Sequence, residues 1–427
     1  MKDSALSVEA LEAAIGRLPV DALAPARRAA LDTLRKTGMP TLRDEDWKYT
    51  DIRPLVDLSN QWLANPAPTS GEAVPSRIDD IMRSIDADWL VVRNGRIDEA
   101  GLRGLSVDGV TVSLLSDLGI ERPASTQLGN LNTALLVDGL RIRITDGTRC
   151  RRPIGLLFAD LASDSPVISQ SRIDIVVDKS ASVSVFECHV SAGEPGHYAN
   201  AVVNLDLGEA AAADFVRLQE RSRGHDQTAR TSITVGRGAV LRHAAYDLGG
   251  KLIRNDLEVR VDEPGGHASI SGLYLVGAGQ HIDNHTRIDH VVGPTESRQE
   301  YRGILTGHAR GVWNGKVIVH DGADGTDAEQ SNHNLLLSRN AEINTKPELE
   351  IYADDVKCSH GTTVGQLDRD AMFYLRTRGL SRHEARQVLT RAFAQAIVSR
   401  TPIEALHEFL FERIALRLDE LMLGADE

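Results

Sequence analysis

Cysteine is scarce in this sequence: 427 residues hold three, Cys150, Cys188 and Cys358, widely scattered and with no CxxC pair. That excludes a disulfide framework and a four-thiolate metal centre built by this chain alone, and it suits a reducing compartment. Cys150 and Cys188 read as inert packing residues. Aromatic residues make up 4% of the chain, few for a groove that stacks sugars. No apolar run approaches the length of a membrane span. The opening "MKDSALSVEALEAAIGRLPVDAL" has no apolar core of a secretory signal, so a cytoplasmic location is expected. Positive charge is also short. Lys and Arg total 48 against 61 Asp and Glu, and a net charge of −13 argues against nucleic acid or an anionic membrane as partner. There is no GxxxxGK[ST], HExxH or GxSxG, and no GxGxxG between a strand and a helix; "GVWNGKV" (311–317) lacks both the spacing and the Ser/Thr of a phosphate loop. ATP hydrolysis by this chain is therefore not expected, and neither is other catalysis.

What is present is a repeat. The segments "SRIDIVVDKSASVSVFE" from 171, "NAVVNLDLGEAAAADFV" from 200 and "ARTSITVGRGAVLRHAA" from 229 start 29 residues apart. "DLEVRVDEPGGHASISG" from 256 and "TRIDHVVGPTESRQEYRG" from 286 continue them, and 316–334 and 348–365 follow more loosely. Each copy is an alternating run, a turn rich in Gly, Asp or Pro, and a second alternating run, so each reads as two strands. With no helical pattern between copies and a period too long for leucine-rich repeats and too short for propeller blades, the expected fold is mainly β, a parallel β-helix. An antiparallel sandwich is the alternative.

The flanks read differently. Residues 4–36 are helical in composition, with breaks at Pro19 and Pro25, and 65–76 reads as a linker. Between 86 and 145 the patterns are short and strand-like. After 366 the period becomes helical: "SRHE" (381–384) is a capping box opening 382–399, and "TPIE" (401–404) reads as a second, with Pro402 at the first helical position. Leu406, Phe409, Leu410, Ile414, Leu418 and Leu421 form an apolar stripe expected to pack on the body of the protein, with Arg413 and Arg417 off it. The expected domains are 1–80 (helical), 81–365 (β-helix) and 366–427 (helical).

Candidate ligands are few. Six of the 14 histidines fall between 281 and 333: His281, His285, His290, His308, His320 and His333. "HIDNH" (281–285) has ligand-like spacing but no acidic or thiol partner at a matching offset, so these read as a surface ladder. "DVKCSHGTTVG" (354–364) sets Cys358 and His360 two residues apart, on one face if the stretch is a strand. The pair reads either as two metal ligands, an open set that a second chain completes, or as a buried cysteine beside a surface histidine.

Two stretches together resemble a known family. "RDEDWKYTDIRPL" (43–55) and "KPELEIYADDVKCSHGTTVGQLDRDAMFYLRTRGLSRHEA" (346–385) are similar to the SufD family of subunits of the SUF iron–sulfur cluster assembly system. The first carries Arg43, Glu45, Trp47, Lys48, Tyr49 and Thr50 of the family's pattern, and both lie in family order, so the resemblance spans essentially the whole chain. It implies a right-handed parallel β-helix flanked by helical regions, which agrees with the repeat. It implies a non-enzymatic scaffold that pairs with SufB through the ends of the two β-helices and docks the ATPase SufC on its C-terminal helices. It implies sulfur received from a cysteine desulfurase system and a nascent iron–sulfur cluster at the SufB–SufD interface, to which Cys358 and His360 correspond as candidate ligands. SufB carries further cysteines in its β-helix; this chain reads "AEQSNHNLLLS" (328–338) there, which favours the SufD branch. The resemblance leaves room for a homodimer of the isolated chain and for a reduced flavin on the complex, though no flavin motif is legible. The competing reading is a β-helix enzyme acting on carbohydrate or a metal-dependent substrate. A secretion signal and a cleft of aromatic and acidic residues would mark it, and neither is in the sequence.

Overall fold

A computed structural model describes residues 5–65, 76–98, 107–162, 165, 167–193 and 196–423. The alternating runs are strands, and they form two sheets of ten and nine. Chain-consecutive strands lie in different sheets through the repeat region, and each pairs in parallel with the strand one turn away. This is a parallel β-helix of about seven turns, with helices at both ends of the chain. It rules out the sandwich, whose neighbours would be antiparallel. Antiparallel pairing is confined to the start, where Asp88–Arg93 meets Arg96–Ile97 and Val110–Leu114 meets Leu140–Ile144. One turn takes 27 residues between Val240 and His267 and 31 between Glu296 and Asp327, which is why the repeat is clear but not strict in sequence.

Parallel register stacks like upon like. Ile175, Leu205, Ile233, Val259, Ile288 and Val317 form one inward column, each paired with the next and each buried. Burial of each such side chain contributes about 1.5–3 kcal/mol. The turns between strands require sharp reversals; Gly265, in "DEPGGH", takes φ +77°, which a residue with a Cβ rarely adopts.

Both outer faces are covered. Helices Val8–Ile15, Ala24–Thr37 and Arg53–Ala64, with Gln127–Leu135, pack over the nine-stranded sheet through Leu11, Leu31, Leu55 and Leu131 against Ile168, Tyr198 and Leu252. Pro25 does not break a helix; it lies in the first turn of Ala24–Thr37, where its missing N–H costs nothing. Most of the expected linker, 66–75, lies outside the described residues. The helix Gln127–Leu135 falls in a stretch expected to hold only short strands. Its Asn130, Asn132 and Thr133 are buried and hide the apolar period, and Asn132 donates to the carbonyls of Ser171 and Asn200 on the adjacent strands.

The C-terminal helices cover the ten-stranded sheet. The capping box forms: Ser381 accepts from the amide of Glu384, whose carboxylate accepts from the amide of Ser381, opening Arg382–Val398. The second expected box does not form. Thr401 instead donates to the Val398 carbonyl at 2.7 Å and meets the Tyr246 hydroxyl at 2.6 Å, and His407–Leu423 begins only after a 3-10 turn, Glu404–Leu406. The apolar stripe packs on the body, with Leu406, Leu410, Ile414, Leu418 and Leu421 buried beside Phe186, Leu218, Leu273 and Ile304. Arg413 and Arg417 are not on a free face: Arg413 holds Glu220, and Arg417 is buried against Gln280.

Candidate functional site: the open end of the β-helix

The last turn consists of Glu342–Ile351 in the nine-stranded sheet and Lys357–Gly365 in the ten-stranded sheet, each outermost in its sheet. Lys357 donates its amide to the Thr326 carbonyl at 2.9 Å and pairs with Asp327. Alternate residues of a parallel strand face the same neighbour, so the amides of Ser359, Gly361 and Thr363 face the preceding turn. Those of Cys358, His360, Thr362 and Val364 face outward, where no further strand pairs among the described residues. In Glu342–Ile351 the same reasoning puts Pro347 at an outward position, since Glu342 donates to Ala309. A proline there removes no ladder hydrogen bond, the usual placement on an edge strand.

Side chains follow the same register. Cys358, His360, Thr362 and Val364 align with Ala328, Gln330, Asn332 and Asn334, all buried in the lumen one turn earlier. Because no turn follows, the lumen opens here. Cys358 is half-buried against the core, and His360 is exposed. Burial pushes the Cys358 thiol up, with Asp327 adding to it, against an opposing hydrogen bond with the Ala328 backbone. The thiol is therefore protonated near neutral pH. The His360 imidazole has no hydrogen-bond partner among the described residues, which leaves both ring nitrogens available. Among the described residues no three histidine, cysteine, aspartate or glutamate side chains are grouped to hold a metal ion. The edge therefore offers two ligand-type side chains on one face, and no more.

Behind the pair the lumen turns polar, which sequence reasoning missed. The Tyr274 hydroxyl donates to Asn334, Asn334 donates to Asn332 at 2.6 Å, and Thr345 donates to the same Asn332 oxygen at 2.9 Å. Thr345 also meets the Thr362 hydroxyl at 2.9 Å, so the chain of hydrogen bonds reaches the rim. Gln330 donates to the carbonyls of Gly315 and Glu348 at 3.1 and 3.2 Å. These hydrogen bonds tie the last turns together, although the buried Gln330 Oε1 has no partner among the described residues. The available signal was "AEQSNHN", where Gln330, Asn332 and Asn334 stand at inward positions of a strand.

The N-terminal motif docks on the outer face near this end. Trp47 lies under the Arg254 guanidinium at 4.4 Å, Thr50 donates to Asp283 at 2.5 Å, and Glu45 pairs with Lys346 of the last turn at 2.9 Å. Burial alone would raise the Asp283 carboxyl, but the charge of Arg254 and then His285 hold it below the usual range. His308 is exposed and His333 meets the Thr363 hydroxyl at 2.9 Å, but the other four histidines are not part of a surface ladder. His290 is fully buried between the Thr295 and Ser297 hydroxyls, His281 is bound by Thr50, and His285 and His320 each pair with a buried aspartate. Cys188 is buried as expected, and Cys150 is half-buried against the core.

The fold and its end define a class: a β-helix whose last turn presents an edge with no further strand among the described residues and two ligand-type side chains, Cys358 and His360. Residues 160–393 match the core-domain model described as SUF system FeS cluster assembly, SufBD core domain. The chain is 31% identical over 410 residues to an iron–sulfur cluster assembly SufBD family protein of Synechocystis, covering 92% of this chain and 90% of that protein. It is 29% identical over 398 residues to the iron–sulfur cluster assembly protein SufD of Escherichia coli, covering 92% and 93%. The chain belongs to the SufBD family of iron–sulfur cluster assembly proteins. No helix among the described residues is long and apolar enough to cross a membrane.

Proposed function

We propose that this chain is a non-enzymatic, cytoplasmic scaffold subunit of a SUF complex, which pairs with SufB through the open end of its β-helix. In this reading a nascent iron–sulfur cluster is the cargo held between the two chains, with His360 and, secondarily, Cys358 facing it. The observation that carries the reading is the pair's position: two ligand-type side chains on the last strand, at a rim where outward amides have no strand partner among the described residues. An imidazole and a thiolate both ligate iron, and an incomplete set suits a cluster that must be handed on. The ATPase SufC docks, in the same reading, on the C-terminal helices. Support comes from apolar side chains those helices leave uncovered: Phe373 and Tyr374 on Arg369–Thr377, Val388 on Arg382–Val398, and Phe411 on His407–Leu423. No residue is assigned to a flavin.

The test is co-purification from cells expressing all three subunits. Removing residues 380–427 is a poor variant, because it would bare Phe186, Leu218 and Leu273. Val364→Pro removes one outward amide without touching the ladder to the preceding turn, and it should lose SufB while keeping SufC. Phe373→Asp with Phe411→Asp should do the reverse. Wild-type recovery of both partners by either variant would remove the corresponding dock.

A further inference from the structure

The last helix does not seal completely against the β-helix. Between His407–Leu423 and the turn corners at 220–223, 248–249 and 280 lies a cavity of about 400 Å³. Four guanidinium groups line it, Arg221, Arg223, Arg413 and Arg417, against two carboxylates, Glu220 and Glu420. We propose that this cavity is a binding site for a small multivalent oxyanion of the phosphate class. The inference is independent of the scaffold reading above.

The charges do not balance. Arg413 is matched by Glu220, with contacts at 3.0 Å, and Arg221 by the buried Asp160 at 2.5 Å. Arg417 meets Glu420 at 2.8 Å. Arg223 is exposed and makes no hydrogen bond or ion pair among the described residues. Hydrogen bonding does not balance either. Arg417 and Arg221 are buried, and among the described residues the Arg417 Nε and the Arg221 Nη1 have no partner. Burial presses the Arg417 guanidinium below its ordinary range, with the nearby charge of Arg223 adding to it, against the opposing hydrogen bond and charge of Glu420 and the charge of Glu220. A phosphate presents several charged acceptors at once, and arginine is the side chain best shaped to meet them. Ser222 and Gln280 on the same wall add neutral polar groups. A carboxylate ligand would offer fewer acceptors to the four guanidiniums, which is why the phosphate class is favoured.

Isothermal titration of the full chain with inorganic phosphate and with pyrophosphate, at constant ionic strength set with chloride, tests this. Saturable one-to-one binding is expected for at least one of the two, and the comparison reports the size of anion accepted. Arg223→Ala lies outside every pairing seen here, so folding should be unchanged by circular dichroism, and affinity should fall about tenfold for the lost charge-assisted contact. Arg223→Glu should abolish binding, together with any anion-induced rise in melting temperature. His360→Ala should bind the anion as wild type does, which separates this site from the rim. Absence of saturable binding, or equal affinity in Arg223→Glu, would overturn the proposal and leave a cavity filled by water.

Discussion

His360 and Cys358 share one face of one strand, yet their surroundings differ. Cys358 is packed into the end of the core with its thiol pushed up, whereas His360 stands free at the rim. Their spacing was legible in sequence; the difference between them was not, because it depends on which turn of the β-helix is last. Other histidines show how much burial decides. Burial holds His197, His243 and His290 neutral, pushed down to about 3, about 3 and about 4. Their charged neighbours are Asp160, Arg221 and His225 at His197, Arg217 at His243, and Asp289 and His320 at His290. The unfolded chain binds these protons near pH 6.5, while the folded chain does so only near pH 3–4. Their contribution is therefore complete above about pH 6.5 and is lost as the pH falls through that window, by at most ~1.4 kcal/mol per pH unit for each histidine. Asp226 opposes them. Burial pushes it up to about 6, so it favours the folded state more as the pH drops from 6 towards 4. Three groups outweigh one, and denaturant unfolding should show the protein less stable at pH 5 than at pH 7 by a few kcal/mol. His243→Leu should flatten that dependence. Equal or greater stability at pH 5 would show that these histidines are charged in the fold.

Among the elements, the strands were the most legible, because alternation of period 2 survives wherever a sheet buries its inner face. The helix Gln127–Leu135 was not, since its buried asparagines serve the strand backbones beneath it. "TPIE" misled for a related reason: Thr401 is drawn away from a capping role by Tyr246 on the β-helix, a contact across 155 positions of sequence. One tertiary device was also invisible. Tyr301 lies over Gly272, its register partner, and Tyr274 lies over Gly303, so that a Cβ at either glycine would sit 2.2 or 2.3 Å from a buried ring. Neither ring has room to retreat. Gly272→Ala should therefore destabilise the chain by about 1–3 kcal/mol, measured as a lower denaturation midpoint at unchanged m-value. Stability equal to wild type would mean that the lumen is looser than the stacking implies.

At the scale of the molecule, the β-helix is a rod with two unlike ends. Antiparallel pairs occupy its start, and its last turn is left open, with the hydrogen-bonded chain from Tyr274 to Thr362 stiffening that rim. The N-terminal motif ties the first part of the chain to the last turn through Glu45 and Lys346. The repeat announced the rod. The tie could not be read, because nothing local in "RDEDWKYT" names its partners more than 200 residues away. What the rod is for rests on the rim. The most direct measurement is cluster reconstitution on the proposed complex of this chain with SufB and SufC, carrying either wild-type His360 or His360→Ala, with iron and acid-labile sulfide determined after equal times. His360 is exposed and contributes little to the core, so the variant complex should assemble with the same stoichiometry and melting temperature. It should hold markedly less iron and sulfide than wild type, and Cys358→Ser should fall between the two. Equal iron and sulfide in the wild-type and His360→Ala complexes would contradict the account and leave the Cys358–His360 pair as part of the scaffold alone.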